Sequence, residues 1–503
     1  MSNIIYCGNC GSANAVDAAF CVNCGTQLHS VTTTQRQPNV PQQTEAPQAP
    51  AAIPQRQTHT TPAATSSVSN QSTQRPVNPN YLTSAIVTPS AKTQRARKPK
   101  VTLFVGLGAL VLGAVGGGFV WWQQQGDVST SSLAVDETFS TNIGRGADDK
   151  VFSAAVQQDG RIIVGGDFST WNGRLANRVV RVEANGSLDS SFASSIGLGA
   201  NDGVRTIAVQ EDGKVLVGGL FTNWDGSFAP RLVRLRDNGT LDTAFMRNLG
   251  SGADELVYNV RLQPDGKILV GGNFTLWNEV VVNRVVRLNS DGTVDTRFSG
   301  NIGDGAEDWV CSFALQSDGR IIVTGGFIEL SNRTVNGVAR LNSDGTRDLS
   351  FSASTGSGSD GWILTSRVLS DNSIILGGAF TTWNGSTVGR LVRLNADGTT
   401  DVQFQQATGN GADAQIYGIA EQADKKLILV GEFTLWNGTS VNRIVRLNPN
   451  GTLDESFKLD IGLAANDAAI DTVVGPDGSI LVAGNFTTWN NLSANRVLRL
   501  IPS

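Results

Sequence analysis

Histidine is almost missing from this chain: of 503 residues only His29 and His59 are histidines, and both precede residue 127. Beyond that point Cys311 is the sole cysteine. Residues 127–503 therefore hold no His-based triad, no His-ligated metal site and no internal disulfide, which removes most acid–base and nucleophilic chemistry. Proline is sparse as well, 15 in all, ten of them between positions 30 and 100. Against this stand 57 glycines and 40% apolar residues, so the bulk of the chain is neither disordered nor collagen-like. Positive charge is short in the larger part: residues 1–126 carry eight basic and two acidic side chains, net +6, whereas 127–503 carry 31 and 42, net −11. An acidic main domain argues against a nucleic-acid partner.

What is present begins with four cysteines in two C-x-x-C-G knuckles, Cys7 and Cys10, then Cys21 and Cys24. Paired thiolates on tight turns suit tetrahedral Zn²⁺; a redox pair or a disulfide staple is the other reading. The stretch resembles the small zinc ribbons at the N-termini of many prokaryotic membrane proteins, and residues 1–29 are taken as that module. Residues 30–100, rich in Gln, Thr, Pro, Ser and Ala without apolar periodicity, are expected to be a disordered linker. Val101–Trp122 then runs 22 residues without a charge, and as a helix of about 33 Å would cross a bilayer. Arg95, Arg97, Lys98 and Lys100 precede it and Trp121 and Trp122 end it, so the expected topology is a cytoplasmic N-terminus and an extracytoplasmic C-terminal domain. Ala109, Gly113 and Gly117 form a small-xxx-small line that could pair two such helices into a dimer. Residues 123–135 make a short linker.

From there one pattern recurs every 53 residues. Phe168, Phe221, Phe274, Phe327, Phe380, Phe433 and Phe486 keep this interval, as do Arg181, Arg234, Arg287, Arg340, Arg393, Arg446 and Arg499. Seven copies without insertion or deletion mean seven equivalent units. In the first, Val151–Gln157, Arg161–Val164, Asn177–Glu183 and Ser187–Ala193 read as four antiparallel strands, the first and last pairs joined by tight turns at Asp159-Gly160 and Asn185-Gly186. Gly165 and Gly166 inside a strand mark close backbone approach. Asp136 and Phe139 stand one period before Asp189 and Phe192, and the chain ends after a third strand at Leu500. A lone strand at about 134–141 is thus expected to complete the last sheet beside Asn495–Leu500. The fold class that follows is all-β: a seven-bladed β-propeller over 136–503 closed by an N-terminal strand, plus a small four-cysteine zinc ribbon and one transmembrane helix.

The repeated text, V-G-G-x-F-x-x-W-N-G followed by N-R-x-V-R-L-N-x-D-G-T-x-D-x-x-F, resembles the delta-sixty repeat β-propeller family over about 136–500. That resemblance implies a propeller fold and a binding platform rather than a particular activity.

In such a unit the long loops, from the fourth strand to the first and from the second to the third, share one face, where function is expected. An acidic ring precedes the inner strands there: Asp148, Asp254, Glu307, Asp360 and Asp413, with Asn201 and Asn466 in register, followed one position later by Asp149, Asp202, Glu255, Asp308 and Asp467. Ten carboxylates at one mouth either bind Ca²⁺ or a cationic ligand, or cap their own loops. A second ring, Trp171, Trp224, Trp277, Trp383, Trp436 and Trp489 with Leu330 in the seventh place, either stacks on sugars or wedges between blades; the leucine favours the wedge. The repeated arginines are expected to pair with Asp189 and its equivalents within a blade. Trp309 and Trp362 break the symmetry, standing where other repeats have Lys150, Gly203, Leu256, Gln415 and Ala468. With Asp148, Asp254, Glu307, Asp308, Asp360 and Asp413 they form the candidate ligand site.

The expected function is a membrane-anchored extracytoplasmic propeller, not an enzyme, that contacts a protein or cell-envelope glycan through its long-loop face, with Zn²⁺ in the cytoplasmic ribbon. A carboxylate-dependent glycan-active enzyme and a purely structural spacer are the alternatives.

Overall fold

The protein is described from a computed structural model, which covers residues 4–6, 13–15 and 133–502. The cysteine knuckles, the linker and the apolar run at 101–122 lie outside the described residues. Among the described residues no helix is long and apolar enough to cross a membrane. In the N-terminal part Ile4–Tyr6 pairs antiparallel with Ala13–Ala15, Tyr6 opposite Ala13, so the first Cys-x-x-Cys pair falls in the sequence between two paired strands.

The C-terminal part is all-β and propeller-like, with seven repeat units. The first unit shows how the sequence builds each. An inner strand, Val151–Val156, pairs with a wholly buried middle strand, Ile162–Gly166, and this with an outer strand, Val179–Val182. The Val- and Ile-rich middle strand is apolar on both faces because it is covered on both. The inner strand slips register between Val151 and Ser153, which brings the Lys150 carbonyl over Gly166: a Cβ there would lie 2.0 Å from that oxygen. The second glycine of each pair is what this bulge requires.

The fourth strand expected at Ser187–Ala193 is not formed, and the sheets of the first six units have three strands rather than four. Leu188 makes one bridge to Val182, and the chain then turns into a short helix, Ser190–Ser195. Asp189 is its N-cap, its carboxylate accepting from the Ser191 and Phe192 N–H groups at 3.0 Å. Phe192 and Ile196, four residues apart, are buried on one face. The other units repeat the arrangement with Phe245 and Leu249, Phe298 and Ile302, and Phe457 and Ile461. A small second hairpin, Thr170–Trp171 with Arg174–Leu175, was also not anticipated.

The expected strand at 134–141 is likewise shorter and earlier. Leu133–Val135 pairs with Val497–Pro502, Val135 opposite Leu500, making the last sheet four-stranded; Glu137–Ile143 is the helix capped by Asp136. Side chains of the last unit, Leu481, Ala483 and Val497, join Phe139, Ile143 and Val151 in one core cluster. Each of the other six clusters likewise spans two successive units, so the core lies between sheets rather than within one. A central cavity of about 290 Å³ is lined by residues from all seven inner strands.

Candidate functional site

The two symmetric rings are structural. Trp171, Trp224, Trp277, Trp383, Trp436, Trp489 and Leu330 are all buried, and each tryptophan meets the phenylalanine three residues before it, as Phe168 does Trp171 at 5.9 Å edge to face. They are core wedges, closed to a sugar.

The acidic ring laces the two long loops together. Asp148 accepts from the Ser169 and Thr170 N–H groups at 2.8 and 2.9 Å and from the Ser169 hydroxyl at 2.7 Å. Asp254, Asp360 and Asp413 do the same to Thr275 and Leu276, Thr381 and Thr382, and Thr434 and Leu435. Glu307 accepts from Ile328 and Glu329, and Asn201 and Asn466 keep the geometry without charge. Partial burial works to raise the pKa values of Asp148, Asp254, Asp360 and Asp413, but these hydrogen bonds outweigh it and hold the carboxyls below the ordinary value. Asp308 and its equivalents accept from the next N–H, Asp308 from Trp309 at 2.8 Å. Among the described residues no three His, Cys, Asp or Glu side chains are grouped to hold a metal ion.

The repeated arginines are paired as expected, and do more. Arg340 donates to Asp348 from Nε and Nη2 at 2.9 Å, lies 4.4 Å over the Phe351 ring, and reaches the Ala396 carbonyl of the next unit. Arg499 does the same from the last unit to the first: Nε donates to Asp136 at 2.9 Å and Nη1 to the Ala184 carbonyl at 2.6 Å. One guanidinium thus serves an ion pair, an aromatic face and a neighbouring turn.

What remains asymmetric is aromatic. Trp309 and Trp362 are half-buried at the start of adjacent inner strands, their ring centroids 5.7 Å apart at a tilt of 48°. Tyr258, which sequence reasoning missed, extends the row, 6.2 Å from Trp309. Its position in the inner strand holds Phe152, Arg205, Cys311, Leu364, Tyr417 and Ile470 elsewhere, a set without a periodic signal. Gly326 makes room for the row: a Cβ there would lie 2.8 Å from the Trp362 ring, and the other units have Asp167, Leu220, Asn273, Ala379, Glu432 or Asn485 at that place. Three rings of three successive units thus form one shelf, with Asp308 adjoining it. Asp148 and Asp413 belong to the first and sixth units, outside the three that carry the shelf, and Asp254 precedes the strand that holds Tyr258. Cys311 is buried, and burial pushes its thiol up to about 12, so it is no nucleophile.

Seven segments of the chain, residues 157–192, 210–245, 263–298, 316–351, 369–404, 422–457 and 475–502, match the family described as a domain of unknown function (DUF5122) beta-propeller. Among solved structures the chain is similar to the WD40 beta propeller domain of Doa1, with 12% identity over 74% of this chain and 96% of that one, TM-score 0.47. It is similar also to a streptogramin B lyase, with 14% identity over 74% of this chain and 98% of that one, TM-score 0.42. A third is the extracellular domain of a candidate one component system from B. thetaiotaomicron, with 13% identity over 71% of this chain and 39% of that one, TM-score 0.41. No curated protein matches the chain.

Proposed function

Starting from a chain that is a β-propeller of seven repeats matched by the DUF5122 family, we propose that it is a binding module, not an enzyme. In this reading it is a closed seven-bladed platform of the delta-sixty kind, anchored in the cell membrane through residues 101–122 and displayed outside the cell. Its long-loop face holds a protein or a cell-envelope glycan. Cys7, Cys10, Cys21 and Cys24 would hold a structural Zn²⁺ on the cytoplasmic side; four thiols in two C-x-x-C pairs fit that ion, and the strands Ile4–Tyr6 and Ala13–Ala15 flank the first pair as a knuckle hairpin needs.

The observation that carries the reading is the Tyr258–Trp309–Trp362 shelf. Where the other tryptophans of the propeller are sunk in the core, these two are only half-buried, and Gly326 leaves space for one of them. Clustered, half-buried tryptophans are the usual anchors of a binding surface. The chain enters at Leu133, opposite Pro502 and on the short-turn side, so the long-loop face is clear of the entry point. Acids bonded to their own loops lack the paired, differently tuned carboxylates that glycoside hydrolysis needs.

The test is crosslinking of the full chain in its own cells, comparing wild type with Trp309→Ala/Trp362→Ala and with Lys150→Ala, the equivalent position across the mouth. The double variant is expected to retain roughly tenfold less of what wild type captures, at an unchanged unfolding temperature, while Lys150→Ala retains it. Equal retention by all three would refute the shelf as the contact site.

A further inference from the structure

We propose that the central cavity is a binding site for a small oxyanion of the phosphate class, clamped between Arg261 and Arg367. This goes beyond the shelf reading: it concerns the other end of the inner strands and stands or falls separately.

The two arginines occupy the same register, fifth residue of the inner strands Val257–Leu262 and Ile363–Val368, in the third and fifth units. At that register the other units carry Ala155, Ala208, Ala314, Ala420 and Val473. Two large cations thus stand where the other units carry small side chains, and both line the cavity of about 290 Å³, ample for a tetrahedral oxyanion with bound water.

Neither cation is neutralised by an ion pair among the described residues. The sevenfold arginines all pair with aspartate, and Arg205, also in the lining, pairs with Asp167 at 2.7 Å and lies 4.0 Å over Phe152. Arg261 and Arg367 make no ion pair or hydrogen bond among the described residues. Burial, and then the charge of Arg367, hold the Arg261 guanidinium below its ordinary pKa; burial does the same to Arg367, with Glu421 opposing. That acid already accepts the N–H and hydroxyl of Ser370 at 2.8 and 2.7 Å. Asp471, the one carboxylate in the lining, is turned to the backbone N–H groups of Ala154 and Thr472. On the short-turn rim Asp212, Asp265 and Asp318 are paired with Lys214, Lys267 and Arg320.

A third unpartnered polar group belongs to the same lining. Thr472, 6% exposed, also lines the cavity, and its hydroxyl is buried without a hydrogen-bond partner. Two guanidinium forks and a free hydroxyl are donors without acceptors. An oxyanion accepts from both guanidinium groups, and planar forks grip its oxygens in pairs as a lysine would not.

The test is equilibrium dialysis of the purified full chain against radiolabelled inorganic phosphate at constant ionic strength in chloride. Saturable binding near one phosphate per chain is expected, displaced by sulfate. Arg261→Ala/Arg367→Ala should weaken it roughly tenfold or more, while its phosphate-free unfolding temperature is equal or higher, since two unpaired like charges are gone. Arg261→Lys/Arg367→Lys keeps both charges and should still lose several-fold through loss of the forks. Absence of saturable binding, or binding that the alanine pair keeps, would overturn the proposal. Trp309→Ala/Trp362→Ala should leave phosphate binding unchanged, which separates this failure from failure of the shelf.

Discussion

Alanine in place of Asp348 should cost roughly 4 kcal/mol of folding stability, measured by chemical denaturation of the full chain at pH 7. Two losses combine. The helix Leu349–Thr355 loses its N-cap, because the Asp348 carboxylate accepts from Ser350 and Phe351 N–H groups at 3.0 and 3.3 Å. Arg340, 2% exposed, loses its ion-pair partner and remains buried over Phe351. Stranding that cation accounts for most of the cost. The effect carries a pH signature. Burial works to raise the Asp348 carboxyl, but the bonds from Ser350, Phe351 and Arg340 prevail and bring it down to about 2. A depressed carboxyl contributes stability that is present above about pH 4 and is lost as pH falls through its folded value. The gap between wild type and Asp348→Ala should therefore narrow between pH 4 and about 2. A gap below 1 kcal/mol at pH 7, or one constant with pH, would contradict this account.

Asp471→Asn should act in the opposite direction and raise stability at pH 8. Asp471 lies on the last inner strand in a series that reads Ser153, Thr206, Asn259, Ser312, Thr365 and Gly418 elsewhere, so it is the charged exception. Burial lifts its carboxyl to about 6, with the N–H groups of Ala154 and Thr472 only partly offsetting that. A raised carboxyl costs nothing below its unfolded value near 4, where it is protonated in both states, and the cost grows as pH rises through 6. A carboxyl lifted this far costs roughly 3 kcal/mol at pH 8. The carboxylate takes the two N–H groups on separate oxygens, at 2.9 and 2.8 Å, and the asparagine carbonyl can accept only one of them, so at pH 4 the gain should vanish or turn into a small loss. Equal gains at both pH values would mean the effect is steric rather than electrostatic.

The repeat made most of the architecture legible. A constant interval of 53 residues requires equivalent units, and the Gly-Gly pair, the buried tryptophans with Leu330 and the Arg–Asp pairs all follow from one unit read seven times. The fourth strand was misread for an identifiable reason. Asp189 followed by Phe192 and Ile196 is an N-cap with an i, i+4 apolar pair, and Gly144, Gly250, Gly303 and Gly356 close other copies with positive φ, a helix text of two turns. At six or seven residues it is too short for periodicity to stand out from a strand that shares its buried phenylalanine. The candidate site was half legible. Trp309 and Trp362 stood out as neighbouring aromatics in a column that otherwise has none, whereas Tyr258 and Gly326 fall in columns without a prevailing residue, and Arg261 and Arg367 interrupt a column of alanines and one valine that is too plain to draw notice. Their meaning depends on which neighbours the inner strands bring together, and that is a property of the ring.

The face assignments, the shelf and the cavity all rest on the N-terminal segment completing the last sheet. Ala134 lies opposite Ile501, a hydrogen-bonded antiparallel pair whose Cα atoms in such a ladder are about 5.5 Å apart, within reach of a disulfide. The full chain carrying Ala134→Cys and Ile501→Cys, oxidised and digested, should yield one linked peptide joining these two positions within a single chain. Failure of that link to form, or its appearance only between chains, would show that the ring is not joined in this way.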